Sequence, residues 1–239
     1  MIKKSILKSK LLSDLVKTSA KRECAIHSKL KHKNIIELYD YTENDDELAL
    51  FMEYANKPFY LNDLIVESHT PIEDEVELKK YAHDILEGIR YLHSQGIIHA
   101  DIKLENMLCH EEDDVTTVKI CDLGFSHIID PNKGGKVVIH DVSGTVGHIA
   151  PEVKSHCSIG TEVDIWCFGL MLYEMTVAYK PTQVKKFSYA DEDIPFRKYD
   201  WRRKNPEIKD LILKCMKYNP QERITADEAL QHPWFTQGQ

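Results

Sequence analysis

His99-Ala100-Asp101-Ile102-Lys103-Leu104-Glu105-Asn106-Met107-Leu108, followed eleven residues later by Lys119-Ile120-Cys121-Asp122-Leu123-Gly124, is the stretch from which the rest of the chain can be read. Acids and an amide flank the short apolar runs Ile97-Ile98, Met107-Leu108 and Val118–Cys121, which have the length and composition of strands. An ordinary solvated Asp/Lys/Glu loop does not explain that arrangement. Upstream, Leu78, Tyr81, Ala82, Ile85, Ile89 and Leu92 recur at helical spacing from Glu77 onward, and Gly96 supplies the left-handed stop. Downstream, residues 124–152 are rich in Gly, Asp, Ser and His without periodicity and read as a long functional loop. Asp164–Met175 is apolar on nearly all sides, the mark of a helix buried at the centre of a lobe. Helices are also expected over Glu207–Lys217 and Ala226–Gln231, the second opened by the capping box Thr225-x-x-Glu228.

The first third of the chain is different. Residues 1–8 suit the tail of a strand, and 14–31 a helix with Leu15, Ala20, Cys24, Ile26 and Leu30 loosely on one side. Ile35–Asp40 and Leu48–Tyr54 read as strands separated by the turn-rich Glu43-Asn44-Asp45-Asp46. None of the ten glycines precedes Gly88, so residues 1–87 hold no Walker A loop, no dinucleotide fingerprint and no G-x-G-x-x-G flap.

Composition narrows the class. The chain has 239 residues, 42% hydrophobic and 29% charged, enough for a packed core. A net charge of −8 argues against a general nucleic-acid or anionic-membrane binder. No apolar run approaches the roughly 20 residues that span a bilayer. Six scattered cysteines without C-x-x-C suggest neither a zinc ribbon nor a disulfide framework, and read as cytosolic free thiols.

The two quoted runs resemble the catalytic loop and metal motif of the eukaryotic protein kinases. The resemblance covers essentially the whole chain in order: Glu23, Phe51-Met52-Glu53-Tyr54-Ala55 at the hinge, Ala150-Pro151-Glu152, Asp164-x-Trp166-x-x-Gly169, and Arg223 before His232-Pro233-Trp234-Phe235. It implies an α+β bilobal fold, with 1–54 a partial small lobe and 55–239 the hinge and helical lobe. It further implies an ATP- and Mg²⁺-dependent kinase acting on protein or peptide substrates. Asp101 would orient the substrate hydroxyl and Lys103 steady the γ-phosphate. Asn106 and Asp122 would supply hard oxygen ligands to magnesium.

Lys103 and Thr145, the latter expected to hydrogen-bond Asp101 and Lys103, resemble the serine/threonine pattern. The resemblance puts adenine against Glu53 and Ala55, with Met52 as gatekeeper and Leu108 as floor. Glu152 with Arg223 would form a buried ion pair, and Asp164 would anchor the catalytic-loop backbone. Gly144–Val153 and Arg223–Phe235 look closest to the calcium/calmodulin-type members, although no calmodulin segment or EF-hand loop is present.

Three departures stand out. The chain starts where the third strand of the small lobe should be, so Lys3 is the expected phosphate lysine and partner of Glu23, with Lys4 its competitor. The Gly-rich flap is missing from it, which leaves a catalytically silent, kinase-like binding protein as the second reading. Ala100 replaces the arginine that grips a phosphorylated loop, so phosphorylation near Asp141 or Ser143 is not expected to be the switch. Leu123 replaces phenylalanine in the metal motif, an apolar-for-apolar change, and His27 stands where an aliphatic residue is expected. The acidic charge, and Glu105 in particular, point to basic substrates.

Overall fold

A three-stranded sheet and one helix make up the first fifty residues of the computed structural model, which describes residues 1–8, 14–57, 61–129, 135–139, 148–155, 158–184, 187 and 194–237, with backbone alone at 14–19, 154 and 155. Strand β1 (Ile2–Leu7), helix α1 (Asp14–His27), β2 (Leu38–Glu43) and β3 (Glu47–Met52) form the small strand-rich part. Its sheet is antiparallel, in the order β1-β3-β2. The most apolar run takes the middle: Leu48, Ala49 and Leu50 are buried, and Leu48 and Leu50 make a small core with Ala20, Cys24 and Leu38. The β2–β3 turn closes because the Asn44 side chain accepts from the N–H groups of Asp46 and Glu47, both at 2.9 Å.

The helix expected over 14–31 stops at His27, and the strand expected from Ile35 starts only at Leu38. The segment between is claimed by the rest of the molecule. Ile35 bridges in parallel to Ile120, with Ile36 N–H donating to the Ile120 carbonyl at 2.9 Å and Ile120 N–H to that of Asn34 at 2.9 Å. Ile26, Leu30 and Ile35 belong to the large core rather than the small one.

A helical turn at Asp63–Glu67 leads to α2 (Glu75–Ser94), capped where Asp74 accepts from Val76 N–H at 2.8 Å. Gly96 ends it at φ +68°, a backbone conformation that only glycine adopts freely. Beyond lie β4 (Ile97–Ile98), β5 (Met107–Glu112), β6 (Val115–Ile120) and β7 (His127–Ile128), paired as β4–β7 and β5–β6. Strand β8 (Val137–Val138) pairs with β9 (Ser158–Ile159). Short strands therefore interrupt the region expected to be loop.

Helix α3 (Glu162–Val177) is buried from Val163 through Thr176, as its all-round apolarity predicts. A Cβ on Gly169 would stand 2.7 Å from Met216 Cγ and 2.8 Å from Cys215 Cβ, so only glycine lets α3 approach that neighbour. The chain ends in α4 (Lys198–Trp201), α5 (Pro206–Cys215), α6 (Ala226–Leu230) and α7 (Pro233–Thr236), with the Thr225/Glu228 capping box formed. No helix among the described residues is long and apolar enough to cross a membrane.

Candidate active site

The turn after β4 is held from below. Asp164, fully buried on α3, accepts the His99 N–H on Oδ2 at 2.9 Å and the Ala100 N–H on Oδ1 at 2.8 Å, while His93 Nε2 lies 2.9 Å from Oδ2. Burial opposes ionisation, yet His93, His99 and the backbone donors hold this carboxyl below its ordinary pKa. Ala100 is thereby fixed at φ +64°, a strained conformation for a residue with a Cβ. The pin sets where Asp101 emerges.

Asp101 is buried and engaged on two sides. Lys103 Nζ stands 2.7 Å from its Oδ2, and Asn106 Nδ2 donates to the Asp101 carbonyl at 2.8 Å and to Oδ2 at 3.1 Å. The 3₁₀ turn Leu104–Asn106 holds Asn106 in place, with Leu104 buried in the core as its anchor. The Cys121 N–H donates to the Asn106 carbonyl at 2.9 Å, bringing the end of β6 alongside. Asp122 follows at φ +61°, and the Gly124 N–H reaches its Oδ1 at 3.3 Å. Because both Asn106 amide hydrogens face Asp101, its Oδ1 remains as an acceptor. With the Asp122 carboxylate it forms a hard oxygen donor set, the kind that suits Mg²⁺.

The lysine of this site is Lys4. Its Nζ lies 2.9 Å from Glu23 Oε1 and 3.0 Å from Asp122 Oδ1. Lys3, the expected partner of Glu23, instead pairs with Glu47 at 2.7 Å on an exposed edge. The correction has a simple cause. Successive side chains of a strand point to opposite faces, and the pairing Lys4↔Leu50 turns Lys4 toward α1. Burial works against the Lys4 charge, but Glu23 and Asp122 lift its pKa above the usual lysine value. In the same pair burial raises and Lys4 lowers the Asp122 carboxyl, and the lowering wins.

Lys4, Glu23, Met52, Glu53, Glu105, Asn106, Leu108, Cys121 and Asp122 line one cleft of about 490 Å³, closed on its sides by Ile2, Ile36, Asn62 and Asp63. Ala55, expected at the hinge, lies outside that lining, and Asp101 and Lys103 stand behind Asn106 rather than on it. Thr145 lies outside the described residues, as do Asp141, Ser143 and Gly144.

His27 satisfies a hydrogen bond rather than loosening α1: its Nε2 lies 2.6 Å from the Ile36 carbonyl, and burial pushes its pKa down. Leu123 is buried, as an apolar substitute for phenylalanine should be. Arg223 grips Glu152 through both nitrogens at 2.6 and 2.7 Å and donates also to the carbonyls of Lys217, Glu162 and Tyr218.

Three residues of the neighbourhood escaped the sequence reading. Lys119 clamps the Glu53 carboxylate at 2.9 and 3.1 Å, and the Glu37 N–H donates to the same group at 3.2 Å. Glu174, in the last turns of α3, has a buried Oε2 without a hydrogen-bond partner among the described residues, as has Glu105. Burial pushes the Glu174 carboxyl up to about 7, with Lys180, 3.7 Å away, opposing and Glu105 adding. A carboxylate in the last turns of α3, beyond the acids Glu162 and Asp164 of its first turn, was the available signal.

The family model described as "Protein kinase domain" matches residues 1–235 of the chain.

Proposed function

Because the chain belongs to the protein kinase family, phosphoryl transfer is its general chemistry, and we propose that it moves the γ-phosphoryl of ATP to a serine or threonine hydroxyl of a protein substrate. The observation that carries this reading is the convergence of Lys4, Glu23, Asn106 and Asp122 on one cleft, with Asp101 hydrogen-bonded directly behind Asn106. Asn106 and Asp122 would hold Mg²⁺, which supplies positive charge to the phosphate oxygens. Lys4, oriented by Glu23, neutralises further phosphate charge from the roof of the cleft. Asp101 orients the substrate hydroxyl and accepts its proton. Lys103, already 2.7 Å from that carboxylate, steadies the transferring group. Met52, Glu53 and Leu108 offer the purine an apolar floor and a hinge edge, with Ala55 as a further backbone donor.

The substrate is proposed to carry a basic side chain near the acceptor. Glu105, which lines the cleft and has a buried carboxylate oxygen with no partner among the described residues, supports this, since a cation would satisfy it. The described cysteines, Cys24, Cys109, Cys121, Cys167 and Cys215, are free thiols, which suits a reducing cytoplasmic setting.

A second reading is partner or nucleotide binding without transfer. The lack of glycine in residues 1–87 favours it, since that stretch offers no backbone-amide flap over the phosphates. Labelled ATP with millimolar Mg²⁺ and a basic peptide panel containing serine, threonine or tyrosine separates the two. The proposal expects label on serine or threonine, and a loss of about 100-fold or more in kcat for Asp101→Asn with nucleotide affinity retained. Nucleotide binding without any incorporation refutes it.

A further inference from the structure

The segment Arg197–Lys204 carries five basic side chains and one acid in a chain of net charge −8. It is not a loose run. Trp201 is buried against Tyr173 at 4.9 Å and Phe196 at 4.8 Å between ring centres, so α4 is anchored and its polar neighbours are turned outward. Arg197 is spent internally, on Asp200 at 2.9 Å and the Tyr179 hydroxyl at 3.1 Å. Lys204 reaches Glu73 at 3.2 Å, a partner that is itself 74% exposed. Arg202 lies over the ring of Tyr199 at 5.2 Å, and Tyr199 is 79% exposed. Arg203 and Lys198 are exposed and have no acidic partner among the described residues.

Tyr199, Asp200, Arg202, Arg203 and Lys204 line a groove of about 260 Å³ together with Pro71 and Glu73. None of them lines the nucleotide-sized cleft. We propose that this groove docks an acidic peptide segment of a protein partner, with carboxylate or phosphate side chains meeting Arg202, Arg203 and Lys204 and the partner chain lying along the Tyr199 ring. Guanidinium groups meet such oxyanions two bonds at a time, and an aromatic ring offers contact area at small entropic cost. Shape and charge together favour a peptide over an anionic membrane. The site is concave and flanked by Glu73 and Asp200, and a flat charged surface would face the repulsion of the whole acidic chain. A short peptide senses only the field within a Debye length of about 8 Å.

The test is fluorescence anisotropy on the full chain, without nucleotide, so that it reads docking separately from phosphoryl transfer. The probes are a ten-residue Glu/Asp-rich peptide, a peptide of equal length bearing two phosphoserines, an uncharged Ser/Gly peptide, and phosphatidylserine vesicles. Both acidic peptides are expected to bind and the neutral one not to, with affinity falling as salt rises. The exposed pair Arg202→Glu and Arg203→Glu together should weaken binding at least tenfold, and Arg203→Gln alone about threefold. A preference between the two acidic probes identifies carboxylate or phosphate as the recognised group. No binding at millimolar peptide, equal binding by the doubly reversed variant, or binding to vesicles alone overturns the proposal.

Discussion

Replacing Asp164 by asparagine takes one acceptor from a site that uses both carboxylate oxygens. Oδ1 serves the Ala100 N–H, and Oδ2 serves the His99 N–H and His93. An amide has a single oxygen, so in either orientation one backbone N–H faces an NH₂ group and loses its acceptor. A hydrogen bond to a charged group contributes about 1.5–3 kcal/mol, and an orphaned buried donor costs about 1–3 kcal/mol. The sum is about 2.5–6 kcal/mol. For a chain of 239 residues that corresponds to a fall in Tm of about 5–24 °C. The carboxyl is held below its ordinary value of 3.8, so its stabilisation is complete above that pH and is lost as the pH falls through the lower folded value. The gap between native protein and variant should therefore narrow in acid. Thermal denaturation at pH 7 and pH 3, with hydrogen exchange at Ala100 and Asp101, reads both effects. A variant melting within 2 °C of the native protein at pH 7, with Ala100 equally protected, would refute the pin.

Lys4→Met should lower kcat/KM for ATP at least tenfold while Lys3→Met stays within twofold, because only Lys4 reaches Glu23 and Asp122; equal losses in steady-state assays would contradict that assignment. Arg223→Met removes the two-pronged partner of Glu152 and a donor to three carbonyls and should cost about 3–5 kcal/mol in urea unfolding, partly recovered when Glu152→Leu is added. Glu174 has its pKa raised from 4.5 to about 7, so its protonated form is favoured in the fold and its contribution to stability is greatest below pH 4.5 and is lost as pH rises toward 7. Glu174→Gln should remove about 3–4 kcal/mol of that pH dependence, seen as a flatter Tm profile between pH 4.5 and 8. An unchanged profile would mean that this carboxyl titrates normally.

Much of the site could be read from short range. The Leu104-Glu105-Asn106 turn, the apolar strands on either side of it, and the acids at 101 and 122 are close in the chain, so composition and spacing already join them. The same holds for α2 with its Gly96 stop, for α3 and for the Thr225 cap, all governed by helical periodicity and local hydrogen bonding. Failures occurred where a boundary is set by a distant partner. Helix α1 ends early and β2 starts late because Ile35 and Ile36 are bound to Ile120, far along the chain.

The amino-acid order alone determined the family and the two-part α+β architecture, and it supplied the candidate acidic and amide groups, because each rests on residue types at fixed short separations. Tertiary structure alone decided which of two adjacent lysines enters the cleft, since the pleat sends neighbours to opposite faces and only the pairing with β3 says which is inward. It also decided that Lys4 meets Asp122, and that Lys119 clamps Glu53. Those pairings join residues 66 or more apart, and no local rule of periodicity, capping or turn chemistry reaches that far.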